Sequence, residues 1–262
     1  MRKLKITIQY DGSSYHGWQV QKNAVTVQEV FQDAVEKVFL KRLDVTGCSR
    51  TDSFVHANMY VLTLETDMNI SNEGVIMALN SKLPSDIAVI DCEECESDFH
   101  PRYSCKSKEY IYKLYNGKRP NAFLPKYAYY YRRFIDADYL NSQAQAYVGT
   151  FDYSGFCSAK SDVEDTVRSV KSFKVWREGD IVYFKVEADG FLYNMVRIMV
   201  GTLLFVSEGK IKKDELKDII LSKERKRAGK TAPPQGLYLN QDYKKNYFYL
   251  HFGKWKVYRL NR

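Results

Sequence analysis

The chain has 262 residues, of which 45% are hydrophobic and 27% charged, a composition that is typical of folded globular proteins and excludes a disordered chain. The formal net charge of +8 and the pI near 9.0 favour a polyanionic partner. No apolar run approaches the roughly 18–20 residues that a bilayer span requires, so we expect no membrane partner.

The cysteines and the start of the chain indicate a cytoplasmic protein. Five cysteines is an odd number, and without a secretion signal it favours reduced thiols. Cys92 and Cys95 have the spacing of zinc ligands, but no second pair follows, and a structural zinc site needs four ligands. The chain also lacks a glycine-rich phosphate loop. We therefore expect no metal and no cofactor.

The first half of the chain alternates strand and helix patterns. Thr26 and Glu29 form a capping box before one helix, and Ser71 is a candidate cap of the next. Apolar spacing predicts, in order, a strand at 4–10, a helix at 27–38, a strand at 60–64, a helix at 75–83 and a strand at 87–90. This β-α-β-α-β order indicates helices packed on a small sheet.

The second half is also mixed α and β. The turn at 177–180 between two apolar runs is a hairpin signal. The patterns predict strands at 110–115, 127–133, 167–175, 181–186 and 247–258 and helices at 137–148, 191–201 and 214–221. A further strand is expected to begin at Gly236.

Between the first helix and the second strand lies the stretch Ser49-Arg50-Thr51-Asp52-Ser53-Phe54-Val55-His56. Its residues alone fit a turn in which Thr51 and Asp52 bond the backbone and Arg50 is solvated. The whole string, however, resembles Gly-Arg-Thr-Asp-Ala-Gly-Val-His, the signature of the TruA-type tRNA pseudouridine synthases. Phe54 is the main departure, because glycine in a loop often marks a positive φ or a close approach. A phenylalanine there either changes the loop path or brings an aromatic ring near the RNA.

Four further blocks resemble the same family and occur in the family's order. They are 10–21 with Tyr-Asp-Gly and Gly-Trp-Gln-x-Gln, Lys-x-Tyr-x-Tyr at 108–112, the apolar stretch 191–201, and the strand start at 233–239. The resemblance implies an α+β fold of two ferredoxin-like or RRM-like domains whose sheets join across a central basic cleft. We expect an N-terminal domain at 1–106 that carries the catalytic loop and a C-terminal domain at 107–262.

The resemblance also assigns roles at the active site. Asp52 corresponds to the aspartate that these enzymes use as covalent catalyst. Arg197 would be its partner, holding the carboxylate ionised, although an apolar helix such as 191–201 is otherwise core. Tyr110 would lie against the target uracil; alternation alone would make it part of a half-buried strand.

Three more residues are expected to contact the substrate. Arg50 is a candidate wedge that fills the space of a nucleotide flipped out of its stack. Thr51, the next residue, is also expected to bind the substrate. His56 belongs to the same set by resemblance, and it could equally be a residue that stabilises the turn.

The expected activity is conversion of uridine to pseudouridine in the tRNA anticodon stem-loop, at uridines 38–40 by family resemblance, by a homodimer. One alternative is an active paralogue that modifies other uridines or another RNA. Another is a catalytically silent RNA-binding protein of the same fold, with Phe54 blocking the pocket. A nuclease that uses Asp52 and His56 is poorly supported, because no cluster of metal-binding carboxylates accompanies them.

Overall fold

The computed structural model describes residues 1–158 and 163–240. The helices are α1 (Val27–Phe39), α2 (Asn72–Asn80), α3 (Ala137–Ala144), α4 (Met195–Ser207) and α5 (Leu216–Ser222). The strands are β1 (Arg2–Tyr10), β2 (Thr46–Gly47), β3 (His56–Thr66), β4 (Ile87–Glu94), β5 (Lys108–Tyr115), β6 (Tyr129–Tyr130), β7 (Gly149–Asp152), β8 (Val167–Glu178), β9 (Ile181–Ala188) and β10 (Leu237–Asn240). No helix in the described part of the chain is long and apolar enough to cross a membrane.

The first half follows the predicted order of strands and helices. The hydroxyl of Thr26 accepts a hydrogen bond from the backbone N–H of Glu29 and begins α1, and Ser71 caps α2 in the same way. Along β1, every second side chain is fully buried from Leu4 to Ile8. Alternation of period two therefore indicated the buried face of this strand correctly.

The ten strands of the described residues belong to one sheet, in the order β4-β1-β3-β10-β5-β9-β8-β7, with β2 beside β3 and β6 beside β5. β10 joins the two halves, because it runs parallel to β3 and antiparallel to β5. This arrangement confirms the predicted α+β fold with its sheets joined. The domain border near residue 106 stays a prediction.

The register of the strands places one row of buried side chains across the sheet from β4 to β8. Directly opposed residues in neighbouring strands project to the same side. The row consists of Ile87, Tyr10, Ala57, Leu239, Tyr110, Val186 and Phe173. Tyr10 of the first half and Tyr110 of the second therefore face the same side.

The strand predicted at 127–133 is wrong for most of its length, since only Tyr129–Tyr130 pair with β5. The reason is the side chain of Asn116, whose amide donates to the carbonyls of Tyr131 and Arg133, each at 2.7 Å. A side chain thus takes the backbone acceptors that a neighbouring strand would use.

Two helices begin later than predicted. α4 begins at Met195 and not at 191, because Asn194 has a φ of 62° in the left-handed region. α5 begins at Leu216 and not at 214, and Asp214 likewise has a φ of 64°. Neither residue can continue a right-handed helix in that conformation. The strand predicted at 247–258 lies outside the described residues.

If β10 holds the two halves together, its buried side chains should be more important for stability than exposed ones of the same type. We expect Leu239→Ala, at a fully buried position, to lower the free energy of unfolding by about 2–5 kcal/mol. Leu221→Ala, at a position that is 57% exposed, should change it by less than about 0.5 kcal/mol. Urea denaturation of both variants measures the difference, and equal losses would contradict the prediction.

Candidate active site

A concave pocket lies on the buried side of the sheet, near the point where β10 joins the halves. Four segments contribute to it: the loop before β3, the start of β5, the approach to α4, and β10. Its lining is Ser49, Arg50, Thr51, Asp52, Val55, Lys108, Tyr110, Phe191, Leu192, Asn194, Met195, Val196 and Leu237.

The loop that carries Asp52, residues 48–55, is shaped by two glycines of the first family block. A Cβ on Gly12 would lie 2.0 Å from the carbonyl oxygen of Val55, and one on Gly17 would lie 2.4 Å from that of Thr51. Only glycine permits such a close approach of two backbones. The backbone N–H of Trp18 then donates to the same Thr51 carbonyl at 3.2 Å. The glycine positions of this block therefore hold the loop in place.

The structure brings Asp52 and Arg197 together. Arg197 Nη1 lies 3.5 Å from Asp52 Oδ2, and both side chains are mostly buried, at 25% exposure for the aspartate and 15% for the arginine. The guanidinium is fixed by two further bonds, from Nε to the carbonyl of Ala232 at 2.7 Å and from Nη1 to Asn194 Oδ1 at 2.6 Å. An arginine held at several of its donors keeps its direction towards the carboxylate.

Two opposing effects act on the pKa of the Asp52 carboxyl group. Burial raises the pKa of Asp52, and Arg197 opposes this rise without cancelling it. The charge of Arg197 at 3.5 Å favours the ionised carboxylate, whereas desolvation opposes ionisation and is the larger of the two effects. The role of Arg197 as the partner that holds Asp52 ionised stays a prediction.

Besides Asp52, three predicted residues line this pocket, whereas Arg197 contacts Asp52 from outside the lining. Tyr110 is buried, and its ring meets Phe191 edge-on at 5.1 Å between centroids. Thr51 is buried and shares a hydrogen bond of 2.8 Å with the hydroxyl of Tyr10. Arg50 lies at the rim and is exposed to solvent.

His56 is placed elsewhere. Its Nδ1 accepts a hydrogen bond from the backbone N–H of Gly12 at 3.0 Å, and its Nε2 lies 2.9 Å from the carbonyl of Lys126. The ring stacks on Tyr238 and is buried, and burial lowers the pKa of His56. A neutral imidazole that links three segments supports the turn-stabilising interpretation over substrate contact.

Two pocket residues were missed by the sequence-based assignment. Lys108 donates from Nζ to the carbonyl of Cys48 at 2.9 Å, which ties β5 to the loop of Asp52, and burial lowers its pKa. Its position two residues before Tyr110 on the same strand was a usable signal, because both side chains face one side. Asn194 orients Arg197 by accepting a hydrogen bond from its Nη1, a contact that no sequence pattern indicated.

Phe54 keeps the backbone conformation that a glycine would adopt, with a φ of 66°. A residue with a Cβ pays about 1–2 kcal/mol for this conformation. Phe54 is 41% exposed and is not among the residues that line the pocket. The loop path is therefore retained at an energetic cost.

The described residues contain no group of three or more His, Cys, Asp or Glu side chains that could hold a metal ion. The pocket contains the Asp52 carboxylate with Arg197 beside it, the amine of Lys108, and a wall formed by the rings of Tyr110 and Phe191. A carboxylate so placed can act as a nucleophile or as a base.

Comparison with known proteins gives consistent matches. The sequence model of a family described as tRNA pseudouridine synthase matches residues 6–104 and 143–243. The tRNA pseudouridine synthase A of a Thermoanaerobacter species is 45% identical over 239 residues, which cover 91% of this chain and 98% of that protein. The protein of the same name from Acetivibrio thermocellus is 44% identical over 243 residues, or 93% of this chain and 100% of that protein.

Among solved structures, "Structure of H/ACA RNP bound to a substrate RNA containing 2'-deoxyuridine" matches 77% of this chain and 43% of that chain, at 12% identity and a TM-score of 0.37. A likeness of this size carries no weight here. The fold, the pocket and the sequence matches instead define the class of the protein as an enzyme, an isomerase. The chain belongs to the tRNA pseudouridine synthase family.

The raised pKa of Asp52 predicts a pH-dependent cost in stability. A carboxyl whose folded-state pKa exceeds its ordinary value of 3.8 stabilises the fold fully when the pH is below 3.8. This contribution is lost as the pH rises through the folded-state pKa. Asp52→Asn removes the charge, so its stability relative to wild type should increase from about pH 4 to about pH 7.

Urea denaturation at both pH values measures this trend. Asp67→Asn, at an exposed carboxylate, controls for the loss of one negative charge. A relative stability of Asp52→Asn that falls with rising pH would show that Arg197, and not burial, dominates the environment of the carboxylate.

Proposed function

We propose that the chain converts uridine to pseudouridine in the tRNA anticodon stem-loop, with Asp52 as the nucleophile that acts on a uridine flipped out of its stack. The observation that carries the proposal is the pocket itself, in which one mostly buried carboxylate lies beside Arg197 and near the ring of Tyr110. Each of these side chains comes from a different segment of the chain.

The reaction breaks the bond between C1′ of the ribose and N1 of uracil, rotates the detached base, and joins C5 to C1′. C5 loses its hydrogen as a proton and N1 gains a proton, so the product is an isomer of uridine and no oxidant or reductant is consumed. A nucleophilic carboxylate divides this rearrangement into easier steps. Attack on C1′, attack on C6 of the base and initial removal of a sugar proton remain alternative first steps for Asp52.

The pocket offers a role for each neighbouring side chain. The rings of Tyr110 and Phe191 supply an apolar wall that replaces the stacking a flipped base has lost. Arg50 is exposed at the rim, where it can occupy the space that the base leaves and contact phosphate. Lys108 adds a second cation inside the pocket, which favours the anionic backbone of the substrate.

The choice of uridines 38–40 and of a homodimer rests on the family resemblance. An enzyme that accepts several neighbouring positions cannot depend on the bases around the target. Recognition must then come from backbone and shape contacts, for which the net charge of +8 is suited.

The alternative of a catalytically silent RNA-binding protein required Phe54 to block the pocket. Phe54 is outside the lining formed by the described residues, and its ring is partly exposed. A pocket that holds Asp52 and is open to Tyr110 supports activity. The departure at position 54 therefore bears on which uridines are modified more than on the chemistry.

The Asp52→Asn change should abolish pseudouridine formation while tRNA binding stays within about threefold of wild type, because the amide keeps the shape but is not a nucleophile. Release of the C5 hydrogen from tRNA labelled at that position measures turnover, and filter binding measures affinity. Asp67→Asn is the matched control and should be fully active. Turnover by Asp52→Asn would remove Asp52 from the mechanism.

Incubation of unmodified tRNA transcripts with the purified chain should produce pseudouridine at positions 38, 39 and 40. Chemical mapping of pseudouridine along the whole transcript locates the products. Modification confined to other uridines would retain the enzyme class and replace the proposed substrate site.

A further inference from the structure

Phe54 is unusual among the residues with a positive φ. Leu40 and Lys223 follow the ends of α1 and α5, where a left-handed residue commonly ends a helix. Asn194 and Asp214 have short polar side chains that tolerate this conformation. Phe54 has neither justification, since it is bulky and lies within a loop.

The strain at Phe54 is not compensated by burial. Its neighbour Val55 is buried, whereas Phe54 is 41% exposed. Among the described residues, the ring beside it is that of His16, which is also exposed, with 5.6 Å between centroids and 54° between the planes. A strained backbone conformation whose side chain is not packed in the core is characteristic of functional sites.

The position of these two rings, here called the rim pair (His16 and Phe54), is close to the catalytic carboxylate. Two residues span at most about 7 Å, so the Cα of Phe54 lies within that distance of the Cα of Asp52. The backbone is also held in place, because the N–H of Phe54 donates to the carbonyl of Tyr15 at 3.0 Å and the N–H of His16 to that of Val25 at 2.9 Å. The pair is therefore a fixed, exposed aromatic surface beside the pocket.

We propose that the rim pair stacks on the nucleobase adjacent to the target uridine after that uridine has left its own stack. This inference rests on the proposed function of Asp52. Base flipping exposes the face of the neighbouring base, and an aromatic side chain is the group that best replaces a lost stacking partner. Phe54 thereby contributes to tRNA affinity and to the choice of target position, and His16 supports its ring.

The strain allows a test in which stability and function change in opposite directions. Phe54→Gly relieves the left-handed backbone and removes the ring, so the Tm should rise by about 2–4 °C while KM for tRNA rises about 5- to 100-fold. Phe54→Ala removes the ring but keeps the strain, so KM should rise equally without a gain in Tm. Phe54→Trp keeps a stacking surface and should retain KM within about threefold.

The kcat values should change little in all three variants, because the lost contact is made in the ground state as well as in the transition state. Phe134→Ala is the matched control, since Phe134 is 79% exposed and lies on the second half of the chain. It should leave both Tm and KM unchanged. Measurements use purified full-length protein and an unmodified tRNA transcript.

Three results would overturn the proposal. An unchanged KM in Phe54→Gly and Phe54→Ala would mean that the ring does not contact RNA. A lower Tm in Phe54→Gly would mean that the ring is structural. A change in oligomeric state by light scattering, with KM unchanged, would assign the ring to a contact between two copies of the chain.

Failure of the proposed function is distinguishable from these outcomes. If Asp52 is not the catalyst, Asp52→Asn retains turnover whatever the Phe54 variants do. If only the rim pair is misassigned, Asp52→Asn is inactive and the Phe54 variants have wild-type KM.

Discussion

The position of β10 is the constraint on which the site depends. This four-residue strand pairs with β3 of the first half and β5 of the second, so that Ala57, Leu239 and Tyr110 lie side by side in one buried row. The loop of Asp52 leads directly into β3, and Tyr110 lies on β5. Without this strand, β3 and β5 would have no neighbouring strand in common, and the two sides of the pocket would no longer share one sheet.

The pocket region contains several features that lower the stability of the folded state, and the rest of the fold has to offset them. Burial raises the pKa of Asp52 and lowers that of Lys108, so that both charged forms are disfavoured relative to water. Beside them, Phe54 holds a backbone conformation that suits glycine. Such costs cluster at sites selected for chemistry or binding, and the extensive core of both halves can support them.

Several residues of the motifs that match the family hold the Asp52 loop in its shape. Gly12 and Gly17 let the first segment approach the loop more closely than a residue with a Cβ would permit. His56 lies in a buried stack with Tyr238 and bonds two backbone segments. A signature therefore mixes residues that react with residues that position them, and resemblance alone does not separate the two groups.

The sequence by itself determined the α+β class, the order of the first five elements, the caps at Thr26 and Ser71 and the candidacy of Asp52, because period, capping and motif are local properties. Tertiary structure decided how Asp52 titrates, where His56 lies, and that Asn194 begins α4 and orients Arg197. These depend on desolvation and on contacts between segments far apart in the chain, and no local pattern encodes the balance between burial and one neighbouring charge.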